Sequence, residues 1–190
     1  MLDYVKDMVA DAVVDPNGVR VGLLTFSSTP RVIFYLNDIT NIEDLMNNIE
    51  RVPYNYGNSN MADALRLVRT QMFTTRHGDR VGVKNLAIVI TDGDSNINAR
   101  MVPTEANATH AAGIQIIAIG LVQNTLRQME DIASKPVSAN SFLFTDRDRL
   151  AEVKGKLFPK TCKGIKSLTT KNCCLFSEIT CSQLLFVFLV

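Results

Sequence analysis

Two patterns of hydrophobic and polar positions alternate along the chain and predict the order of its elements. Short apolar runs rich in β-branched residues, as in strands buried on both faces, occupy residues 19–26, 86–90 and 114–121. Segments with apolar positions at helical spacing flank and separate these runs; they cover residues 2–14, 42–52, 61–72, 102–112 and 126–132. Strands that alternate with helices predict an α/β fold with a doubly wound, mainly parallel sheet and helices on both faces.

Two further strands complete the predicted sheet. Residues 31–36 follow the first run after only four residues, Ser27-Ser28-Thr29-Pro30. So short a link permits only an antiparallel pair, and we therefore expect this strand at an edge of the sheet. A last short strand is predicted at residues 141–144, followed by a helix around residues 150–157. Helix starts are predicted by a capping-box pattern at Thr40-Asn41-Ile42-Glu43 and by Asn124.

The stretch NLAIVITDGDSNIN, residues 85–98, is the most informative part of the chain. Its apolar run ends abruptly at Thr91-Asp92-Gly93-Asp94-Ser95-Asn96, where no residue is apolar and most carry a side-chain oxygen. A strand that leaves the core in this way brings a carboxylate to the carboxyl edge of the sheet, where α/β sheets bind ligands. Asp92 is therefore the first candidate functional residue.

Three polar loops are predicted to converge at this edge, namely residues 26–28, 57–60 and 91–95. They offer hydroxyl, amide and carboxylate oxygens and neither sulfur nor imidazole. Hard oxygen ligands with few charges suit Mg²⁺ with several waters retained, or Mn²⁺ or Ca²⁺. A site left coordinatively open in this way is suited to accept a carboxylate from a partner protein.

Composition narrows the class of partner. A chain of 190 residues is sized for one domain, and 20 basic against 19 acidic residues give a net charge of +1 without a long block of either sign. This balance gives no indication of nucleic acid as a partner. The chain also opens directly on a helical pattern, without a secretory leader, which we interpret as truncation.

The end of the chain follows a different pattern. All four cysteines lie here, at Cys162, Cys173, Cys174 and Cys181, without a CxxC pair or a nearby histidine, so disulfides or unpaired thiols are favoured over zinc. Residues 163–190 show no clear period and close on a run of apolar residues far shorter than the roughly 18 that a membrane span needs. We expect an unstructured or loosely docked extension and no membrane span.

Five segments in order resemble a von Willebrand factor type A domain: VRVGLLTFSS, GNSNMADALRLV, NLAIVITDGDSN, AAGIQIIAIGL and SFLFT. The nearest kind is that of extracellular-matrix proteins such as collagen VI and matrilins, and the resemblance covers about residues 4–162. It implies a Rossmann-like fold and a secreted, extracellular location within a longer parent chain. It also implies an adhesion function, with collagen or another matrix protein as partner.

In that family a metal-ion-dependent adhesion site combines an Asp-x-Ser-x-Ser loop after the first strand, a Thr after a Gly-x, and the Asp of a Thr-Asp-Gly turn. Ser59 stands where the family has Thr, and Asp92 matches the Asp, so the resemblance implies these two as metal ligands. The chain has neither an Asp-x-Ser-x-Ser loop nor an apolar strand before Val5. We therefore expect residues 1–162 to form a partial domain that lacks its first, central strand, with a gap between the strands ending at Phe26 and Ile90.

The missing loop also affects the binding of a metal cofactor, and a separate sequence pattern predicts a modification. With the third ligand loop absent, the adhesion site is incomplete, and we expect binding of Mg²⁺, Mn²⁺ or Ca²⁺ by this chain to be weak or absent. The sequon Asn107-Ala108-Thr109 predicts glycosylation at Asn107 if the chain is secreted.

Each candidate has an alternative. Ser59 is also suited to cap the helix that begins at Met61, and Asp92 and Asp94 are common turn formers. An apolar strand followed by Asp92-Gly93-Asp94 further resembles the first motif of haloacid-dehalogenase-like phosphatases, with Asp92 as nucleophile and Asp94 as acid/base. Asn96 stands where that motif prefers Thr or Val, and the later acidic pair is missing. We therefore expect a binding module and no enzyme, with the phosphatase as the alternative.

Overall fold

The computed structural model describes residues 2–53, 57–145, 151, 154 and 183–189, with the main chain alone at residues 124 and 184–189. Its strands are β1 (Arg20–Phe26), β2 (Pro30–Phe34), β3 (Asn85–Thr91), β4 (Ile114–Gly120), β5 (Ser141–Leu143) and β6 (Gln183–Leu189). Its α-helices are α1 (Leu2–Val9), α2 (Ile42–Glu50), α3 (Met61–Leu67), α4 (Val102–Ala111), α5 (Leu126–Ile132) and α6 (Val137–Asn140). A π-helical turn, Val68–Met72, continues α3.

The strands form one sheet in the order β2-β1-β6-β3-β4-β5. Strand β2 pairs antiparallel with β1 and lies at the edge, as the short link between them predicts. The other neighbouring strands pair in parallel. The predicted fold class, a mainly parallel α/β sheet with one antiparallel edge strand, is thereby confirmed.

Side chains from the buried strands alternate between two cores, one on each face of the sheet. In β3, Ile88 and Ile90 join the core formed with α1 and α2, whereas Ala87 and Val89 join the core formed with α3, α4 and α5. This alternation follows from the two-residue period of a strand and explains why the run contains no polar residue. The sheet is therefore doubly wound, with a helical layer on each face.

The structure corrects the predicted gap at the centre of the sheet. Strand β6 lies between β1 and β3 and pairs with both in parallel, from Gln183 opposite Arg20 to Leu189 opposite Phe26. The expectation of an unstructured or loosely docked tail is thus wrong for residues 183–189. The physical reason is that β1 and β3 would each expose a row of main-chain donors and acceptors in the core, which an apolar strand satisfies on both sides.

The rest of the predicted extension lies outside the described residues, as do all four cysteines of the chain. The helix predicted around residues 150–157 is also largely outside them. The division of the chain at residue 162 stays a prediction.

Three predicted helix boundaries differ from the structure. Helix α1 ends at Val9, several residues before the predicted end. Asn41, not Thr40, caps α2, because its side-chain oxygen accepts a hydrogen bond from Asp44 N at 2.8 Å. Helix α5 follows a 3₁₀ turn, so Thr125 and not Asn124 holds the N-cap position.

Candidate functional site

The loop after β1 and the loop before α3 meet at the carboxyl edge of the sheet. Asn60 N donates to Ser27 O at 3.0 Å, and Asn60 Nδ2 donates to Ser28 O at 3.3 Å. Asn58 N donates to Ser28 Oγ at 3.1 Å. These bonds hold residues 57–60 against the end of the first strand.

The same loop is also joined to the turn that follows β3. Ser59 N donates to Asn96 Oδ1 at 2.9 Å, and Ser59 O accepts from Asn96 N and Ile97 N, both at 3.0 Å. Ser95 Oγ donates to the same carbonyl oxygen at 2.9 Å. The three polar loops therefore converge, as the sequence predicts.

The hydroxyl of Ser59 takes part in none of these hydrogen bonds. Ser59 is 5% exposed, and its Oγ has no hydrogen-bond partner among the residues that the structure describes. The alternative role as a helix cap is wrong, because Asn60 caps α3 by accepting from Asp63 N at 3.2 Å. A buried hydroxyl without a partner is unfavourable, and a cation held by its oxygen would remove that cost. Ser59 thus fits a metal-ligand position.

Asp92 follows the last residue of β3 and is exposed at the same edge. The turn that carries it is fixed by Thr91, whose Oγ1 donates to Gly93 O at 2.8 Å and accepts from Gly93 N at 3.3 Å. Asp94 is exposed as well. Within the described part of the chain, no three His, Cys, Asp or Glu side chains group closely enough to hold an ion. Joint ligation by Ser59 and Asp92 therefore stays a prediction.

Sequence reasoning missed two residues that organise this edge, Ser95 and Gln128. Ser95 is 6% exposed although it lies in a polar loop. Its main-chain N–H donates to Gln128 Oε1, on α5, at 2.9 Å. The polar composition of TDGDSN shows that hydroxyl groups are present, but not which of them is buried.

Exposed apolar side chains lie on the elements that border the Asp92 turn. Leu121 N donates to Thr91 O at 2.8 Å, which places the segment after β4 beside that turn. Val122 and Leu126 on this segment and Met101 in the 3₁₀ turn before α4 are 43%, 39% and 47% exposed. These three exposed residues, Met101, Val122 and Leu126, are called the apolar rim below.

The remaining predicted site residue, Asn107, lies on α4 and is exposed. Thr109 of the same sequon is fully buried, and its Oγ1 donates to Glu105 O at 2.7 Å. Glycosylation at Asn107 stays a prediction. Among the described residues, none of the helices has the length and apolar character required to cross a bilayer.

Comparison with known proteins agrees with this architecture. The family model of the von Willebrand factor type A domain matches residues 1–156. The chain is 30% identical over 156 residues to the human collagen alpha-5(VI) chain, covering 80% of this chain and 6% of that one. It is 26% identical over 159 residues to chicken matrilin-1, covering 84% and 32%. The chain thus spans only a small part of these curated relatives.

Solved structures give the same result. Proximal thread matrix protein 1 from the mussel byssus, in a form with a zinc-occupied MIDAS motif, superposes with a TM-score of 0.72 and 27% identity. That match covers 85% of this chain and 42% of the mussel protein. Fold, polar edge and family model agree, and the chain belongs to the von Willebrand factor type A domain family.

Proposed function

We propose that this chain is a non-enzymatic adhesion module that binds a matrix protein, such as collagen, through the carboxyl edge of its sheet. The observation that carries the proposal is the buried Ser59 hydroxyl, which has no partner among the described residues and lies on a loop bonded to the turn that follows Asp92. Relatives among collagen VI chains and matrilins support an extracellular location within a longer protein.

We propose Ser59 and Asp92 as the ligands that this chain supplies to a divalent cation. The hydroxyl oxygen of Ser59 is neutral and the carboxylate of Asp92 is anionic, and both are hard donors that suit Mg²⁺, Mn²⁺ or Ca²⁺ better than softer metals. When bound, the cation would supply a positive centre for a carboxylate of the partner protein. Two side-chain ligands compete poorly with water for Mg²⁺, and we expect weak affinity.

The apolar rim gives the second part of the proposed binding surface. Met101, Val122 and Leu126 expose apolar side chains on the segments that follow β3 and β4. Burial of such groups contributes roughly 25 cal/mol per Å² of apolar surface, whereas the charged contact at a cation gives direction and specificity. We propose that a matrix protein binds with a carboxylate at the centre and apolar groups at the rim.

The direct test is a Mn²⁺ titration of the chain by calorimetry and by paramagnetic relaxation of water protons. We expect weak binding that falls by about 10-fold or more in Asp92→Asn and in Ser59→Ala. Asp94→Asn is the matched control, because Asp94 is also exposed in the same turn and the substitution removes the same charge, and it should lower the affinity far less than Asp92→Asn. Wild-type affinity in both Asp92→Asn and Ser59→Ala would refute the ligand assignment.

A second experiment tests whether the site is incomplete. An apolar strand that ends in Asp-x-Ser-x-Ser is added before Leu2, and residues 183–190 are removed because β6 holds the central position. We expect tighter Mn²⁺ binding, and collagen binding that is lost with a chelator. Equal Mn²⁺ affinity of the two chains would show that the added loop contributes no ligand.

Two further measurements bear on the remaining proposals. We expect no hydrolysis of a generic phosphomonoester in the presence of Mg²⁺; turnover that disappears in Asp92→Asn would instead support the phosphatase alternative. We also propose a glycan at Asn107 in the secreted parent protein. An amidase-sensitive mobility shift that is absent in Asn107→Gln is the expected result.

A further inference from the structure

One hydroxyl group, Ser95 Oγ, joins three segments of the candidate site. It accepts a hydrogen bond from Met61 N, at the start of α3, at 3.2 Å. Its own hydrogen is directed to Ser59 O at 2.9 Å and to Ile97 O at 3.0 Å, which share the single donor. Ser95 is 6% exposed, so these contacts take the place of hydrogen bonds to water. The hydroxyl therefore commits its only hydrogen and one of its two acceptor positions to protein contacts.

The main chain of Ser95 is held from a fourth segment, helix α5. Gln128 Oε1 accepts from Ser95 N at 2.9 Å, and Gln128 is partly buried. Its neighbours on α5, Met129 and Ile132, are fully buried in the core that α3, α4 and α5 form against one face of the sheet. The Ser95 loop is thus tied to a helix that packing keeps in place.

Ser59 receives its orientation from these same contacts. Its N–H is bonded to Asn96 Oδ1, and its carbonyl oxygen accepts from Asn96 N, Ile97 N and Ser95 Oγ. With both main-chain groups fixed, the direction of the Cα–Cβ bond is fixed, and the unpartnered Oγ is restricted to the few staggered positions about that one bond, beside the turn after β3.

We propose that Ser95 is a positioning residue of the cation site, and that Gln128 supports it from α5. We do not assign Ser95 as a ligand, because its buried hydroxyl already accepts from Met61 N and donates to the carbonyl oxygens of Ser59 and Ile97. It holds the Ser59 loop against the loop that carries Asp92, so that hydroxyl and carboxylate face one ion. This inference rests on the proposed function, since it concerns the same two ligands.

The test measures two quantities for the full chain and for each variant: the Mn²⁺ affinity, by calorimetry, and the melting temperature, by thermal unfolding. Ser95→Ala should weaken Mn²⁺ binding by about 10-fold, as outer contacts of metal ligands commonly do. Ser95→Thr retains the hydroxyl and should stay within about 3-fold of wild type. A purely structural role would lower the melting temperature and leave the affinity of the folded protein unchanged.

Asp92→Asn separates failure of this inference from failure of the proposed function. Loss of binding in Asp92→Asn together with wild-type affinity in Ser95→Ala would overturn the positioning role and leave the ligand assignment intact. Wild-type affinity in both, or no Mn²⁺ binding by the wild-type chain, would overturn both proposals. If Ser95→Ala does not fold, Gln128→Ala decides, because it removes only the support of Ser95 N. Here about 10-fold weaker binding supports the inference, and binding within about 3-fold of wild type refutes it.

Discussion

Proline at Val187 should strongly destabilise the protein, because Val187 lies in the middle of the central strand. Its register partners are Leu24 in β1 and Val89 in β3, and both are fully buried. In a strand with neighbours on both sides, each interior N–H faces a carbonyl oxygen of one neighbour. The substitution removes that N–H and leaves the opposite carbonyl buried without its donor.

The magnitude follows from those two losses. The hydrogen bond contributes about 1 kcal/mol, and an unsatisfied buried carbonyl costs about 1–3 kcal/mol. The sum, roughly 2–4 kcal/mol, is a large share of the roughly 5–15 kcal/mol by which a domain is stable. For a chain of this size each kcal/mol shifts the melting temperature by about 2–4 °C, so we expect a decrease on the order of 10 °C.

Val81→Pro is the matched control. Val81 is 97% exposed and occupies the second position of a turn closed by Val83 N donating to Arg80 O at 3.2 Å. Gly82 has φ +79°, which makes this a type II turn, in which proline is favoured at that second position. The control should be neutral or stabilising by up to about 1 kcal/mol. Thermal unfolding followed by circular dichroism measures both variants, and an unchanged melting temperature for Val187→Pro would refute the central position of β6.

Two further predictions concern stability. A Cβ at Gly120 would collide with Thr125 Oγ1, whereas a Cβ at Gly93 meets nothing within 4 Å. In urea unfolding, Gly120→Ala should therefore lower the free energy of unfolding by about 1–3 kcal/mol, and Gly93→Ala should change it by no more than about 0.5 kcal/mol. Equal effects of the two substitutions would contradict the close approach of β4 to α5. Burial, and secondarily the charge of Asp7, raises the pKa of the Tyr4 hydroxyl above its ordinary value of 10.0. The unfolded chain therefore loses this proton at a lower pH than the folded chain, and the free energy of unfolding falls as the pH rises above about 10. Tyr4→Phe should reduce the loss in urea midpoint between about pH 8 and about pH 10.5, and an identical loss in both proteins would show that Tyr4 ionises equally in the folded and unfolded states.

Periodicity predicted most of the fold because most of its elements are encoded locally. Residues 86–90 of β3 are all apolar since both faces of the strand are covered, and the edge position of β2 follows from the short link between β1 and β2. Cap positions were less predictable. Thr40 and Asn41 both carry suitable oxygens, and the choice depends on where the first turn of α2 begins.

Strand β6 could not be predicted in its place because nothing local specifies it. Residues 184–190 are a short apolar run, and the same pattern is compatible with a loose tail. Its role depends on an open position between β1 and β3, which is created by elements far away in sequence. The family model, which matches residues 1–156, does not include it.

The site divides in the same way. Asp92 and Ser59 were found from motifs, since each lies in a recognisable local pattern. The contacts of Ser95 with Ser59 and Gln128 span 36 and 33 residues, and such pairings arise only when β3, α3 and α5 pack together. A buried serine in a polar loop carries no sequence signal that distinguishes it from its exposed neighbours.

The central strand and the candidate site are physically linked. Strands β1 and β3 are both bonded to β6 and not to each other, so β6 sets the spacing between the loop after Phe26 and the turn after Thr91. Asn60 reaches the first of these loops, and Ser59 is bonded to the second. Any change in the spacing must therefore be absorbed by the loop that carries Ser59. A substitution that loosens β6 should consequently weaken cation binding even though β6 supplies none of the proposed ligands.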